Sequence, residues 1–316
     1  MVGDNPVADV QGAQSLGLVA VVVRRAETRR RPAVTIEALS RVLAEAERAV
    51  AFTGAGISTE SGIPDFRSPG GVWTRYDPRD FTFDRYVESA EVRRRSWAMR
   101  REFFAAQTQP NAAHRALAEL EDDGRLVAVI TQNIDGLHQA AGSETVIEIH
   151  GTAREVMCIG DRPRGGVPAG CGFRAPTSWA FERVDAGDDD PGCPTCGGIV
   201  KSATVSFGQS LFPEAIDAAT RLTTSADVFL AIGSSLQVYP AAGLPQAAKD
   251  TGAVLAIVND EATPLDPIAD VIVRGRAGEV LPKAVQESRN AWTCQHGPPT
   301  ALPRTTREPR EPRGRR

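Results

Sequence analysis

The sequence contains few aromatic residues, few cysteines and almost no lysine. Aromatic residues make up 6% of the 316 residues, five residues are cysteine, and lysine occurs only at positions 201, 249 and 283. A small, odd number of thiols in a chain of this length is typical of metal binding in a reducing compartment, and it disfavours a disulfide framework. We therefore expect some of the cysteines to be metal ligands.

Long apolar segments are also missing. The stretch at residues 16–23 (LGLVAVVV) is too short to span a bilayer, and Asp4 and Asp9 precede it where a signal peptide would carry positive charge. We expect no secretion and no membrane anchor, and we predict a cytoplasmic protein. The formal net charge of −4 disfavours nucleic acid as a partner. Arginine clusters near both ends leave open that basic arms dock to nucleic acid or to an acidic protein.

The composition is that of a folded globular protein, with 41% hydrophobic and 24% charged residues. A basic run at residues 24–32 predicts a flexible N-terminal arm over residues 1–33, and the Pro- and Arg-rich residues 291–316 predict a disordered tail. Residues 34–290 would form the folded domain. Within it, residues 151–201 are rich in Gly, Pro, Asp and Cys, lack periodicity, and predict a small insert held together by something other than a hydrophobic core.

Helical and strand patterns alternate through the remainder of the domain. Apolar residues recur at helical spacing after Thr35, which is placed to cap the helix. Short apolar runs at residues 49–53, 126–131, 145–149, 227–232, 253–258 and 270–273 predict strands. Short buried strands joined by helical crossovers predict an α/β fold with a mostly parallel sheet covered on both faces.

A glycine turn follows the first predicted strand. Gly54 and Gly56 would let the phosphates of a nucleotide approach the backbone, although such a turn can also simply join a strand to a helix. The acidic strand end expected in a dehydrogenase fingerprint about 20 residues later is missing. Its place is taken by a Pro- and Gly-rich loop at residues 62–80, in which Asp65, Phe66 and Arg67 offer polar, aromatic and cationic groups.

Polar residues follow other predicted strands in the same way. Asn133 and Asp135 lie in TQNIDGLH, and His138 and His150 are placed at apparent strand ends. By themselves these residues favour an Asx-type turn and structural histidines over a functional site. Two later polar segments, GSSLQVY and NDE, also follow strands. Four polar sites on one sheet edge together favour a nucleotide site, in which a histidine with a pKa near 6.5 suits a general base.

The cysteines at the insert have metal-ligand spacing. Cys193 and Cys196 form a CPTC knuckle, which brings two thiolates to one ion. Cys158 and Cys171 are separated by twelve residues rather than two, and Asp161 stands three residues after Cys158. We predict Cys171 as the fourth ligand, with Asp161 as the alternative. Four thiolates would fill the tetrahedral shell of zinc, so the ion would be structural.

The motifs GAGISTESGIPDFRS, TQNIDGLH, IHG, CPTCGG, SFG and GSSLQVY, in this order, resemble the sirtuins, a family of NAD-dependent protein-lysine deacylases. The resemblance covers about residues 36–284. It implies a Rossmann-like domain with a small inserted zinc-ribbon domain, one structural zinc ion, NAD as co-substrate and acyl-lysine proteins as substrates. The reaction would transfer the acyl group to ADP-ribose and release nicotinamide.

The resemblance also implies roles for individual residues. His150 would be the general base on the ribose, and Asn133 would assist catalysis. Val205 and Phe207 would line the acyl-lysine tunnel. Contacts with NAD would come from Gly54, Ala55, Gly56, Asp65, Phe66, Arg67, Gln132, Asn133, Asp135, Gly233, Ser234, Ser235, Asn259, Asp260 and Ala277.

Two alternatives to deacylation remain open from the sequence. The same site could transfer ADP-ribose to protein or hydrolyse NAD, and an NAD-sensing zinc-ribbon module would bind NAD without turnover. Family members that prefer succinyl or malonyl groups carry a Tyr-x-x-Arg pair. The corresponding segment WAMRRE has no such tyrosine, which disfavours acidic acyl groups, although Arg100 or Arg101 could still contribute.

Overall fold

The structure, a computed structural model, describes residues 32–66, 68–161 and 169–296, without the side chains of residues 294–296. Arg67, the predicted N-terminal arm up to residue 31 and the tail from residue 297 lie outside the described residues. No helix in the described ranges combines the length and apolar character needed to cross a membrane.

Nine strands and ten α-helices make up the described part of the chain. The strands are β1 (Ala49–Thr53), β2 (Leu126–Thr131), β3 (Val146–Glu148), β4 (Gly151–Gly160), β5 (Arg174–Pro176), β6 (Ile199–Thr204), β7 (Val228–Ile232), β8 (Val254–Val258) and β9 (Val271–Val273). The helices are α1 (Ile36–Glu45), α2 (Val72–Arg75), α3 (Phe83–Glu88), α4 (Ala90–Ala105), α5 (Ala112–Asp122), α6 (Leu137–Ala141), α7 (Thr177–Asp185), α8 (Pro213–Thr224), α9 (Leu244–Asp250) and α10 (Ala277–His296).

Six strands form a parallel sheet in the order β3-β2-β1-β7-β8-β9. The chain first builds outward from β1 to β3 and later returns to the other side of β1 with β7. The strand order therefore reverses between β1 and β7, which is where open α/β sheets bind ligands, outside the carboxyl ends of the strands. The predicted parallel α/β fold is confirmed.

Apolar residues cover both faces of this sheet. Ala51 and Leu230 belong to a cluster on one face, whereas Val50 and Phe52 belong to a cluster on the other. Alternate residues of a strand point to opposite faces, so a strand buried on both sides must be apolar throughout. Helix α1 begins at the predicted cap, because Thr35 Oγ1 accepts the Ala38 N–H at 3.1 Å.

The predicted ends of the domain differ in two details from the observed ones. Ala33, the last residue of the predicted arm, bridges to Val271 and donates its N–H to the Asp270 carbonyl at 2.9 Å. Helix α10 continues to His296, past residue 290, where the pattern predicts the tail to begin. The Arg289 side chain bonds Asp123, which helps to hold this part of the helix against the domain.

The insert contains a second, three-stranded sheet in the order β5-β4-β6 with antiparallel pairing. Contrary to the prediction from its composition, this region does have an apolar cluster. Val156, Ala180 and Val200 pack there with Trp97, which comes from α4 outside the insert. The sequence of the insert alone does not show this core because its largest fully buried side chain is supplied by another part of the chain.

Candidate active site

Two glycine turns pack against each other where the strand order reverses. The N–H groups of Gly54 and Gly56, after β1, donate to the carbonyl oxygens of Ile232 and Gly233 at 3.0 and 2.8 Å. A Cβ on Gly56 would lie 2.8 Å from the Gly233 Cα, and a Cβ on Gly233, whose φ is +58°, would lie 2.4 Å from the Ile57 N. Only glycine fits, because the two backbones touch. These glycines therefore carry no Cβ at the strand ends, where open α/β sheets bind ligands.

Side chains from three loops converge beside these turns. Gln132 Nε2 donates to Ser234 Oγ at 2.9 Å. Asn133 Nδ2 donates to Ser58 Oγ at 3.1 Å, and Ser58 Oγ donates to Asp135 Oδ2 at 2.7 Å. The structure thus brings together four of the residues expected to bind NAD. Amide, hydroxyl and carboxylate groups in one cluster are the donors and acceptors that a ribose and a carboxamide require.

Ser58 received no role from the sequence patterns, although it belongs to the glycine motif. It is 1% exposed and links the Asn133 amide to the Asp135 carboxylate. A signal for it existed in the sequence, since a small hydroxyl residue closes the glycine turn. Its partners follow a strand more than seventy residues later, so only the parallel pairing of β1 with β2 shows what the hydroxyl faces.

His150 is held in one tautomer. Its Nδ1 lies 3.0 Å from the Gln132 carbonyl oxygen, which can only accept, so Nδ1 carries the proton and Nε2 has a lone pair. Burial lowers the pKa of His150, and the bond to the Gln132 carbonyl opposes that shift only in part. The ring is therefore neutral at pH 7 and suited to accept a proton at Nε2.

The two other described histidine rings do not reach the cleft. His138 was expected at a strand end, but it lies in α6 and is 1% exposed, with Nε2 2.9 Å from Thr53 Oγ1. The reason is Gly136, whose φ of +74° turns the chain into a helix and directs His138 inward. His114 is fully buried in α5, and its ring centroid is 4.8 Å from that of His138.

A segment after β6 connects the insert to the sheet edge. The Val205 N–H donates to the His150 carbonyl at 2.8 Å. The Phe207 N–H donates to the Phe81 carbonyl at 3.0 Å, and the Phe83 N–H donates to the Phe207 carbonyl at 2.9 Å. Phe207 is 48% exposed. The two residues expected to line the acyl-lysine tunnel therefore lie on a strand-like segment directly beside His150.

The loop at residues 62–80 lies against the same segment. Phe66 is 40% exposed and its ring centroid is 5.1 Å from that of Trp73, which in turn lies 5.8 Å from Phe207. The Asp65 carboxylate accepts hydrogen bonds from the Ser68 N–H and hydroxyl at 2.8 and 2.6 Å, so it shapes the loop. Arg67, expected to contact phosphate, is not among the described residues.

The residues expected on the adenosine side lie farther along the sheet edge. Asn259 and Asp260 follow β8, next to the end of β7 that carries Ser235. The Asn259 side chain donates to the Glu261 carbonyl at 2.9 Å, while Asp260 is exposed. Ala277 begins α10 and is buried in the core.

Four cysteine sulfurs form one cluster in the insert. The Sγ atoms of Cys158, Cys171, Cys193 and Cys196 all lie within 4.8 Å of one another, and the closest pairs are 3.5 Å apart without a disulfide. A Cβ on Gly170 would lie 1.9 Å from the Cys158 carbonyl oxygen. This close backbone contact brings Cys171 beside Cys158 in spite of the long segment between them.

The cluster fits a zinc ion. Sulfurs at about 2.3 Å from tetrahedral zinc are about 3.8 Å from each other, close to the spacing seen here. Burial disfavours the Cys193 thiolate, but the N–H groups of Cys196 and Thr195 outweigh burial and lower its pKa to about 7. The Gly198 N–H lowers the pKa of Cys196, but hydrogen bonds to the other thiols and burial outweigh it and raise that pKa to about 12. Asp161 is exposed and, among the described residues, contributes no atom to the cluster.

The two arginines of the WAMRRE segment point in different directions. Arg101 pairs with Asp185 of α7. Arg100 Nη2 donates to Thr204 Oγ1 at 3.2 Å, directly before Val205. Desolvation lowers the pKa of Arg100. Of the two, Arg100 is therefore the residue near the candidate acyl-lysine segment.

The comparisons with known proteins agree with this geometry. Residues 54–240 match the model of the Sir2 family. The chain is 48% identical over 236 residues to the NAD-dependent protein deacetylase 2 of Streptomyces coelicolor, covering 73% of this chain and 93% of that protein. It is 41% identical over 259 residues to the NAD-dependent protein deacylase of Pyrococcus abyssi, covering 79% and 97%.

Solved structures are similar over nearly their whole length. A complex of a Sir2 homologue with NAD has a TM-score of 0.72 and 35% identity, with 84% of this chain and 98% of that chain covered. A Sir2 complex with a p53 peptide and NAD has a TM-score of 0.71 and 36% identity, covering 80% and 98%. Extensive identity, a matched family model and a shared fold lead to one conclusion: the chain belongs to the Sir2 family, as its motifs predicted.

Proposed function

We propose that the chain removes acyl groups, acetyl or longer, from lysine side chains of proteins, with NAD as co-substrate. One observation carries the proposal. The neutral His150 ring has its acceptor nitrogen free of the Gln132 bond, and the His150 carbonyl binds the Val205 N–H of the candidate substrate segment. A base and a lysine-binding segment joined in this way serve a reaction between a nucleotide and a peptide. Curated relatives carry the names deacetylase and deacylase.

NAD would lie along the sheet edge from the β8 end to the cleft beside His150. When bound, it supplies a ribose carbon from which nicotinamide can leave. Gln132, Asn133 and Asp135 would hold the ribose and carboxamide of the nicotinamide half. The phosphate and adenosine contacts would come from Gly54, Ala55, Gly56, Arg67, Gly233, Ser234, Ser235, Asn259, Asp260 and Ala277.

His150 would act as the general base. Its Nε2 would accept a proton from a ribose hydroxyl, and the Gln132 carbonyl would keep the proton on Nδ1 and stabilise the ring once it is charged. Val205 and Phe207 would hold the acyl-lysine side chain. Asp65 would keep the neighbouring loop in shape, and Phe66 together with Trp73 would exclude water, which otherwise would hydrolyse NAD.

The four cysteines would hold one structural zinc ion. Their sulfurs fill a tetrahedral shell, so no position is left for water or substrate. The ion would cross-link β4 with the turn that precedes β6. Because β6 leads directly into Val205, the zinc cluster would support the substrate segment without taking part in the chemistry.

Mass spectrometry tests the proposed function. Purified protein is incubated with NAD and peptides that carry acetyl-, propionyl-, lipoyl- or succinyl-lysine. Deacylated peptide with an equal amount of O-acyl-ADP-ribose is the expected result. The variant His150→Ala should lose it, whereas Thr152→Ala, a change two residues later in β4, should keep it.

Other products would assign another reaction. Nicotinamide release without peptide turnover would overturn deacylation in favour of ADP-ribosyl transfer or NAD hydrolysis. NAD binding without any nicotinamide release would indicate a sensing module. Turnover of the succinyl peptide above the acetyl peptide would show that the acyl pocket prefers an acidic group, and Arg100→Met would then remove that preference.

A further inference from the structure

The buried His138 ring has no role in the proposed reaction, yet it is hydrogen-bonded to the end of strand β1, where the candidate site begins. It is 1% exposed, and its Nε2 lies 2.9 Å from the hydroxyl oxygen of Thr53 at the end of β1. Its other ring nitrogen, Nδ1, has no hydrogen-bond partner among the described residues. All hydrogen bonding of this ring in the described structure is therefore directed to the end of β1.

A chain of hydrogen bonds leads from this ring to Asn133. Thr53 Oγ1 donates to Thr131 Oγ1 at 2.8 Å. Thr131 Oγ1 accepts the backbone N–H of Asn133 at 3.0 Å. Thr53 is fully buried and Thr131 is 2% exposed, so water does not compete for these hydroxyls.

The direction of the hydrogen bonds follows from the hydroxyl protons. Thr53 has a single hydroxyl proton and gives it to Thr131, so Thr53 accepts at His138 and the ring proton lies on Nε2. Burial, and then the neighbouring His114, lower the pKa of His138 to about 3. The ring is therefore a neutral donor at any pH at which the protein would be assayed.

Asn133 needs such support because it lies just past the end of β2, outside the sheet ladder. Its backbone N–H binds the Thr131 hydroxyl, while its side chain bonds the Gly54 carbonyl and Ser58 at 3.1 Å each. A shift of the backbone would move the side-chain amide away from both. We propose that His138 is a positioning residue that, through the Thr53 and Thr131 hydroxyls, sets the place of the catalytic-loop residue Asn133. This inference rests on the proposed function for its kinetic consequence only.

The test uses variants that keep shape and change hydrogen bonding. His138→Phe removes the donor but fills the same space, and His138→Gln retains an amide nitrogen near the place of Nε2. Thr131→Val cuts the chain at its other end. Ser143→Ala is the matched control, since the Ser143 side chain is buried close to α6 and its hydroxyl has no hydrogen-bond partner within the described part. Its backbone N–H, which donates to the His138 carbonyl at 3.1 Å, is kept in this variant.

The first readout is hydrogen exchange of the Asn133 amide, measured by NMR in the protein without NAD. Exchange should accelerate about tenfold in His138→Phe and Thr131→Val, return toward the original rate in His138→Gln, and stay unchanged in Ser143→Ala. The second readout is kinetic. The kcat should fall about tenfold with the KM for the peptide unchanged, and the double variant should be no worse than either single one, because both cut one chain.

Two results would overturn the inference. One is a lower melting temperature of His138→Phe with normal Asn133 exchange and normal kcat, which would make the ring a packing residue only. The other is an additive loss in the double variant. If the unchanged protein releases no nicotinamide, the proposed function fails, and the exchange measurement alone still decides whether His138 positions Asn133.

Discussion

The six-stranded sheet and the cysteine insert are stabilised in different ways. The sheet has apolar clusters on both faces, and strands such as β1 and β7 are buried at every residue. The insert has three strands and a small cluster completed by Trp97 of α4, and its sulfurs converge within 4.8 Å. A large core allows the sheet to leave polar groups at its edge for chemistry. The insert has little apolar burial and is expected to depend on its metal.

The substitution with the largest expected effect is one that removes a zinc ligand from the insert. Cys171→Ser should abolish stoichiometric zinc binding, because three thiolates leave the shell incomplete, and structural zinc contributes about 10 kcal/mol or more in small sites. Hydrogen exchange should then accelerate in β4 to β6 while β1 and β7 stay protected. Metal analysis of Asp161→Ala serves as control. Loss of zinc in that variant, with zinc retained in Cys171→Ser, would reassign the fourth ligand.

The reciprocal change is made in the sheet. Leu230→Ala removes a fully buried side chain and should lower the free energy of unfolding by about 3 kcal/mol, with zinc content unchanged. Denaturant unfolding followed by circular dichroism measures the effect. Val34→Ala, at a residue 62% exposed, should cost little. Loss of zinc in Leu230→Ala would mean that the sheet and the insert are not stabilised separately.

Acid should inhibit the reaction at the sheet edge. In the proposed reaction the neutral ring of His150 is the active form, and burial lowers its pKa below the ordinary value of about 6.5. The kcat/KM should therefore be independent of pH above about pH 6.5. It should fall by up to tenfold per pH unit once the pH is below the pKa of His150. A pH profile with zinc content measured at each point checks this. A midpoint above 6.5 would contradict the burial argument.

The smallest effect concerns the cap of α1. Thr35→Ala removes the acceptor for the Ala38 N–H and should destabilise the domain by about 1 kcal/mol. Thr35→Ser keeps the hydroxyl and should restore most of the loss. Both variants should retain their zinc content and kcat. Helix α1 packs on the six-stranded sheet and contains none of the proposed site residues. Thermal unfolding measures the difference, and equal destabilisation by both changes would rule out the cap.

Local patterns predicted most elements of the sheet because each is specified by short-range physics. Strands β1 and β2 have the predicted bounds, and Thr35 caps α1 as expected. Predictions failed where a residue depends on distant partners. His138 was expected at a strand end and is buried in a helix, and the insert has an apolar core supplied in part by Trp97.

The amino-acid sequence by itself determined the alternation of strands and helices, the glycine turns and the number of thiols. These follow from the period of apolar residues, from the conformational freedom of glycine and from the spacing of metal ligands. Tertiary structure alone decided that Ser58 meets Asp135, that Cys171 closes the sulfur cluster and that His138 faces Thr53. Each of these contacts joins residues far apart in the chain or hidden by a turn, and only the pairing of strands and the packing of backbones brings them within bonding distance.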